Sequence, residues 1–375
     1  MKTESPIQIL AVNAGSSTLK LVLFIQQADQ LMRIAGEQYS INDEDPAAKV
    51  HEFVDTHANG PIDAAVHRIV HGGKKLGAPC IIDDQIEQTI AVLRSLAPLH
   101  NPAALKWVRA SRRALGDQVP QIAVFDTAFY QDLPEVAQRY ALPQRWLKKY
   151  PIRRFGFHGL AHHAMWKRWC ELNPTANGKG RIISLQLGSG CSITAVHNGK
   201  TLDTSTGFSP MEGLVMATRA GDLDSGLMLY LQEQEELTPK GMQRELNQRS
   251  GLLGLSGISG DMHVLLASTE TNAQLAIDSY CYRVRKYIGA YLAVLGGADA
   301  ILFGGGVGEN EPVIRANILQ GMQWSGIELE MDANEMARGY EALISTTQSP
   351  VAVWAVNADE AAIMAEQAAN LIADS

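Results

Sequence analysis

The chain has 375 residues, 46% hydrophobic and 19% charged, which is enough apolar material for about two packed domains. Its formal net charge of -8 gives no overall basic field for a nucleic-acid backbone or an anionic membrane, so neither partner is expected. The N-terminus lacks a basic segment followed by a long apolar run, and no apolar stretch of roughly 20 residues follows, so a cytoplasmic location is expected.

Two apolar runs with strand-like composition begin the chain, Ile7–Val12 and Leu19–Phe24, and a turn-rich patch separates them. This pattern predicts a hairpin. Half a chain later, Arg181–Leu187 and Ser192–His197 repeat the pattern around Gly188–Gly190. Two such hairpins predict a duplicated α/β architecture with one phosphate-facing turn in each half.

Helices follow the second hairpin. Thr238 with a proline after it predicts a helix start, and this helix should end near Gly251. Apolar residues at helical spacing predict a longer helix over Asn272–Leu295, which a pair of glycines ends. Ala300–Phe303 is then predicted to be a buried strand that leads into a backbone-exposing loop, Gly304–Asn310.

The three glycine-bearing segments that follow strands could each expose backbone N–H groups to phosphate oxygens. Lys20 lies just beyond the first of them. The common nucleotide motifs do not explain them: Thr194 stands where a P-loop ending at residues 199–201 requires glycine, and Glu309 stands where the dinucleotide fingerprint requires its third glycine.

Two arginines lie in apolar or glycine-rich surroundings, Arg68 and Arg219. A buried guanidinium without an anion is costly, so each is a candidate for binding an anionic ligand; the alternative is a buried pair with a neighbouring carboxylate. Asp126 ends a strand-like run and is either a functional carboxylate or a loop cap. His158 lies in the aromatic and glycine-rich segment 155–159.

Taken in order, these segments resemble the acetate kinase family, and the resemblance runs from the first strand almost to the last helix. The motifs that carry it are residues 13–20, 67–73, 97–103, 124–129, 155–159, 203–214, 251–259 and 306–310.

The resemblance implies a duplicated actin-like (ribonuclease-H-like) ATPase fold, with two domains around a cleft and a homodimer as the usual assembly. The expected domains are 1–130 plus 360–375, and 131–359. The implied reaction is ATP + acetate = ADP + acetyl phosphate. The alternatives are a propionate or other short-chain acyl kinase, and an actin-fold nucleotide-binding protein without transfer activity.

The resemblance also implies roles for individual residues. Arg68 and Arg219 would flank the transferring phosphoryl group, Asp126 would be the essential carboxylate, and His158 would stabilise the transition state. Mg²⁺, for which Mn²⁺ can substitute, would be held by Asn13 with Asp359 or Glu360. The implied acyl-substrate residues are Arg68, Val70, Leu99, His100, Phe157 and Pro210. The implied ATP/ADP residues are Lys20, Gln186, Leu187, Gly188, Ser189, Gly190, Asp261, Met262, His263, Gly306, Val307, Gly308, Glu309 and Asn310.

This set of residues suits the chemistry. A carboxylate attacking ATP brings two anions together, so the step needs fixed cations and Mg²⁺. Acetate is already ionised at neutral pH, so Asp126 is expected to position a cation or substrate rather than to remove a proton. The chain departs from the family's usual residues at Gln186, Ser189 and His263, which leaves the nucleotide and the phosphoryl donor open.

Overall fold

The computed structural model describes residues 6–15, 18–28, 30–41, 45–98 and 100–374. The chain divides into two compact units. Unit 1 contains residues 1–131, 157–160 and 359–375, and unit 2 contains residues 132–156 and 161–358.

The strands alternate with helices along the chain, as expected for an α/β protein. The strands are β1 (Ile7–Ala14), β2 (Thr18–Gln27), β3 (Gln30–Ser40), β4 (Ala64–Ile69), β5 (Cys80–Ile81), β6 (Gln121–Phe125), β7 (Arg181–Leu187), β8 (Cys191–His197), β9 (Lys200–Thr204), β10 (Ala300–Gly304), β11 (Ala342–Leu343) and β12 (Ala352–Ala355).

The α-helices range from single turns to a helix of 25 residues. They are α1 (Pro46–His57), α2 (Asp84–Val92), α3 (Asn101–Leu115), α4 (Glu135–Gln138), α5 (Gln144–Lys149), α6 (Gly159–Leu172), α7 (Ser225–Gln234), α8 (Pro239–Gln248), α9 (Gly251–Ser256), α10 (Met262–Leu266), α11 (Thr271–Leu295), α12 (Gly305–Asn310), α13 (Pro312–Leu319), α14 (Met331–Met336) and α15 (Glu360–Ala373).

Each unit is built on one six-stranded sheet. In unit 1 the order is β3-β2-β1-β4-β6-β5, with β1 antiparallel to β2 and parallel to β4, and β4 parallel to β6. In unit 2 the order is β9-β8-β7-β10-β12-β11, and β7, β10 and β12 repeat the pairing of β1, β4 and β6. The repeated topology confirms the predicted duplicated actin-like α/β fold.

Helices cover the sheets because both sheets are apolar. In unit 1, α1 and α3 pack against β1 and β2, with Phe53 and Trp107 fully buried. In unit 2, α11 buries Tyr280, Val284 and Ile288 against β7 and β8. This burial supplies most of the stability, since each large apolar side chain contributes about 1.5–3 kcal/mol.

The predicted elements are present, with one correction. Both hairpins are confirmed, and the helix predicted over Asn272–Leu295 begins one residue earlier, at Thr271. Thr238 caps the helix that follows it by accepting a hydrogen bond from the Gly241 N–H. The prediction of a loop over Gly304–Asn310 was wrong: Gly304 ends β10 and Gly305–Asn310 form α12, because side chains within the segment bond to its backbone groups.

Among the described residues, no helix combines the length and the apolar character that crossing a membrane requires.

Candidate active site

Unit 1 gathers predicted site residues where its parallel strands end. Asn13 lies near the end of β1, Arg68 lies near the end of β4, and Asp126 directly follows β6. Because these strands are parallel neighbours, their carboxyl ends meet at one edge of the sheet. Glu360, the first residue of α15, completes the group.

Arg68 is the centre of this cluster. Its Nε lies 3.1 Å from Asp126 Oδ1, and its Nη2 lies 2.8 Å from Asp126 Oδ2. Its Nη1 lies 3.0 Å from Glu360 Oε2 and 3.3 Å from Asn13 Oδ1, and Asn13 Nδ2 donates to the same Glu360 oxygen at 2.6 Å. The alternative of a buried ion pair therefore describes Arg68 in this structure.

The cluster has two carboxylates for one guanidinium. Burial alone would lower the pKa of Arg68, but Asp126 and Glu360 outweigh it and hold this pKa above its ordinary value. The Asp126 side chain is fully buried, and burial raises the pKa of its carboxyl despite the opposing effect of Arg68. Two carboxylates against one fixed cation leave an excess of negative charge, which favours a further cation here.

His158 approaches Asp126 through its backbone, because its N–H donates to the Asp126 carboxylate. The φ of His158 is 57°, a left-handed conformation that few residues other than glycine adopt. Gly159 follows and begins α6; a Cβ built there would overlap the carbonyl oxygen of Asp126. The His158 turn and the end of β6 are therefore in direct contact, and only glycine fits at position 159.

The structure places three of the five other predicted acyl residues in unit 1. Val70 and Phe157 are both buried in unit 1, and the carbonyl of Phe157 accepts a hydrogen bond from the Tyr130 hydroxyl at 2.8 Å. His100 is half-buried at the start of α3. Pro210 lies in unit 2, and Leu99 lies outside the described residues.

The three residues predicted to hold a metal differ in their partners. Asp359 caps α15 by accepting a hydrogen bond from the Ala362 N–H at 3.1 Å, whereas Glu360 is bonded to Asn13 and Arg68. Within the part of the chain that the structure describes, no three His, Cys, Asp or Glu side chains form a group that could hold a metal ion. Lys20 lies opposite Asn13 in the register of β1 and β2 and is exposed.

Arg219 in unit 2 differs from Arg68 in having no acid beside it among the residues that the structure describes. Its Nη1 lies 3.4 Å from the carbonyl oxygen of Pro210 and 3.8 Å from Met216 Sδ. No carboxylate of the described residues forms a salt bridge with it. Burial lowers the pKa of Arg219 below its ordinary value, yet a guanidinium stays charged at neutral pH. A half-buried cation without a carboxylate calls for an anionic ligand.

The predicted phosphate segments of unit 2 lie side by side. The Gly188 N–H and the Gly190 carbonyl close the β7–β8 turn at 3.1 Å, and Gly188 lies beside the backbone of Gly306. Gly305 has a φ of 76°, and a Cβ there would lie 2.6 Å from the Leu187 carbonyl oxygen, so glycine is required. The Ala217 N–H donates to the Ser189 carbonyl at 3.1 Å, which joins this turn to the Arg219 segment.

The other predicted nucleotide residues border the same segments. Gln186, at the end of β7, has a buried Oε1 without a hydrogen-bond partner among the described residues. Asp261 caps α10 through the His263 N–H, and Met262 is buried. The exposed His263 ring lies 3.8 Å from Glu311, the residue after Asn310. Of the remaining residues, Leu187 and Gly308 are buried, Val307 packs on the core, and Glu309 accepts from the Gly305 N–H.

Three residues near Pro210 were missed from the sequence. Arg154 Nη2 lies 2.6 Å from Glu212 Oε1, and the Tyr140 hydroxyl donates to the other Glu212 oxygen. The signal was present for one of them: Arg154 precedes an aromatic and glycine-rich segment, the same context that drew attention to Arg68 and Arg219. Glu212 lies in the motif 203–214 but was given no role of its own, and the sequence gives no local signal for Tyr140.

Comparison with known proteins identifies the family. The profile of the Acetokinase family matches residues 36–366. The chain belongs to the acetokinase family. The acetate kinase of Solibacter usitatus is 42% identical, over 98% of this chain and 98% of that protein.

Solved structures of acetokinase-family proteins have the same fold. The crystal structure of Porphyromonas gingivalis acetate kinase is similar with a TM-score of 0.85 at 35% identity, over 98% of this chain and 100% of the other. A propionate kinase from Francisella tularensis is similar with a TM-score of 0.85 at 30% identity, over 96% and 98% of the two chains.

Proposed function

We propose that this chain is a kinase that transfers the terminal phosphoryl group of ATP to acetate, giving ADP and acetyl phosphate by direct in-line displacement. Membership of the acetokinase family supports the reaction. The observation that carries it is Arg219, a half-buried cation without a carboxylate beside it among the described residues. Such a cation suits the charge that develops on a transferring phosphoryl group.

The roles of the unit 1 residues follow from their contacts. We propose that Asp126 holds Arg68 in place, since both carboxylate oxygens accept from this guanidinium, and that Arg68 then faces the acyl substrate and the phosphoryl group. His158 is proposed to stabilise the transition state from a turn whose backbone is bonded to Asp126. Neither role requires general-base chemistry.

The donor set of unit 1 fits a magnesium ion. Glu360 and Asn13 offer the oxygen ligands that Mg²⁺ prefers, and the excess negative charge of the cluster favours a cation. We propose Glu360 as the metal-side carboxylate, because it lies in the same cluster as Asn13 and Asp126, whereas the contact that the structure shows for Asp359 is the cap of α15. The ion, or Mn²⁺ in its place, would neutralise phosphate charge when bound.

ATP and ADP are proposed to bind the glycine segments of unit 2, residues 186–190 and 306–310, with 261–263 beside them. The side-by-side turns and the buried, unpartnered Oε1 of Gln186 among the described residues support this. Lys20 is proposed to contribute a cation from unit 1. The two domains predicted from the sequence, 1–130 with 360–375 and 131–359, are proposed to carry these two groups of residues.

The acyl group is proposed to contact Val70, Leu99, His100, Phe157 and Pro210. A small apolar pocket distinguishes one methylene by only about 1–3 kcal/mol, so propionate is the second candidate substrate. The similarity to a propionate kinase structure favours including it.

Hydroxamate trapping tests the function. Purified protein with ATP, Mg²⁺ and acetate should give acetyl hydroxamate in proportion to ADP. The kcat/KM for propionate should be lower than the kcat/KM for acetate. ADP release without acyl hydroxamate from any short-chain acid would instead support a nucleotide-binding protein that has lost transfer activity.

A homodimer is proposed for the assembly, and α7 supports it. None of its ten residues is buried although five of them are apolar, and Leu229 and Tyr230 are 69% and 59% exposed. A cavity of about 720 Å³ is lined in part by Leu223, which lies two residues before the helix, and by the exposed Tyr282. An exposed apolar face of this kind is typical of an interface, and a second copy of the chain buries it symmetrically.

Light scattering tests the assembly. The wild type should have twice the chain mass of 40.7 kDa, and Leu229→Glu with Tyr230→Glu should give a folded monomer. Val136→Glu, at a 90% exposed apolar position outside α7, is the matched control and should remain dimeric. A wild-type monomer at micromolar concentration would overturn the proposal. The expected cytoplasmic location stays a prediction.

A further inference from the structure

Tyr140, Arg154 and Glu212 form a cluster that the reaction chemistry does not by itself require. We propose that this Glu212 cluster is a positioning device that holds the segment carrying Pro210 and Arg219, and so sets the affinity and orientation of the acyl substrate. The inference rests on the proposed function and deepens it.

Glu212 connects the other two members of the cluster. Its Oε1 accepts from Arg154 Nη2 at 2.6 Å, and its Oε2 accepts from the Tyr140 hydroxyl. The Arg154 and Glu212 side chains are 18% and 30% exposed, so the pair is shielded from water far more than a surface ion pair. Burial raises the pKa of Tyr140, which keeps its hydroxyl protonated as the donor to Glu212.

The cluster holds backbone as well as side chains. Arg154 Nη1 donates to the carbonyls of Thr204 at 3.1 Å and Thr206 at 3.0 Å. The Phe208 N–H donates to the Tyr140 oxygen at 2.7 Å. These bonds fix the chain from the end of β9 up to the residues just before Pro210.

A second clamp closes the far end of the segment. Asp222 Oδ1 accepts from the Gly213 N–H at 2.9 Å, and Asp222 Oδ2 accepts from the Tyr287 hydroxyl at 2.8 Å. Arg219 lies in the loop that this second clamp closes, and its Nη1 lies 3.4 Å from the Pro210 carbonyl oxygen. Glu212 is two residues from Pro210, and the Pro210 carbonyl contacts the Arg219 guanidinium. A displacement of Glu212 is therefore expected to displace both residues.

A merely structural cluster and a positioning cluster differ in what their loss changes. Loss of a structural cluster lowers stability and affects acetate and ATP alike. Loss of a positioning cluster lowers kcat/KM for the acyl substrate, which Pro210 and Arg219 are proposed to face. It changes ATP affinity far less, because bonds of their own close the 188–190 turn and residues 305–310, and the Ala217–Ser189 bond links the turn to the Arg219 segment through backbone alone.

The experiment uses Tyr140→Phe and Glu212→Gln in the full-length protein, with Tyr39→Phe and Glu37→Gln as matched controls. Tyr39 donates to Glu37 at 2.6 Å on β3, so the controls break the same kind of bond away from the segment. Steady-state kinetics with acetate and with ATP are measured for each variant, together with the melting temperature.

We expect kcat/KM for acetate to fall roughly 10- to 100-fold in Tyr140→Phe and Glu212→Gln, the size of effect that a small misplacement in a site produces. The KM for ATP should stay at the wild-type value, and the double variant should lose less than the product of the two single losses. The controls should behave as wild type.

A KM for ATP that rises as much as the KM for acetate would overturn the positioning role. Kinetic constants unchanged from the wild type would also overturn it. A wild-type protein that forms no acetyl phosphate would overturn the proposed function instead, and the two failures are therefore distinguishable.

Discussion

Gly159→Ala is the substitution for which the structure predicts the clearest loss of function from a single methyl group. The added Cβ would overlap the carbonyl oxygen of Asp126 and would lie 2.9 Å from the Cβ of Phe129. Neither neighbour is the end of a flexible side chain, so the backbone has to move.

The size of the movement sets the size of the effect. Cβ atoms do not approach backbone atoms closer than 3.0 Å, so Asp126 and residue 159 must separate by about 1 Å. Displacing a site residue by this amount typically costs on the order of 10²-fold in rate. Overpacking of a buried contact also lowers the free energy of unfolding, by about 1–3 kcal/mol.

The assay compares kcat/KM for acetate and urea unfolding in Gly159→Ala and Gly289→Ala. Gly289 lies in α11 with open space around it, so alanine there should raise the free energy of unfolding by about 1 kcal/mol and leave turnover unchanged. A Gly159→Ala protein with wild-type kcat/KM would refute the contact between the His158 turn and Asp126 as the basis of the site's geometry.

Three further predictions concern single residues. Arg219→Ala should lower kcat by about 10³–10⁵ with an unchanged circular dichroism spectrum, and near-normal turnover would show that the cation serves another purpose. Val70→Ala should raise kcat/KM for butyrate relative to acetate by about 10-fold, and an unchanged ratio would place Val70 away from the acyl group. Burial lowers the pKa of His67 to about 4, so the folded state resists protonation. Stability from this residue is present above about pH 6.5 and is lost as the pH falls toward 4, by about 2 kcal/mol between pH 7 and pH 5. His67→Gln should unfold in urea with a correspondingly smaller pH dependence, and an identical dependence would contradict the prediction.

The sequence predicted those elements of the fold that depend on neighbouring residues alone. The hairpins at the start of each unit and the helix α11 follow from apolar periodicity and glycine punctuation, which act within a few residues. The segment 304–310 was harder, because its four glycines suggest an open loop. Its helix depends on Glu309 and Asn310, whose side chains bond back to Gly305 and Gly306.

The sequence supplied candidate site residues by type but not their partners. Arg68 and Arg219 both lie in apolar or glycine-rich sequence. Within the described part of the chain, however, carboxylates contact Arg68 and not Arg219, and they come from 58 and 292 residues away. The sequence left Asp359 and Glu360 open as the metal-side carboxylate, and the proposal of Glu360 rests on contacts that only the structure supplies. Glu212 was missed because its partners are 58 and 72 residues distant.

The most direct test of the account is phosphorus NMR of a reaction containing ATP, Mg²⁺, acetate and the purified protein. The account predicts a new acetyl phosphate resonance that grows in step with ADP and is lost in Arg219→Ala. Inorganic phosphate as the only product, or an equal acetyl phosphate signal from the Arg219→Ala protein, would contradict the claim that this cation serves phosphoryl transfer to a carboxylate.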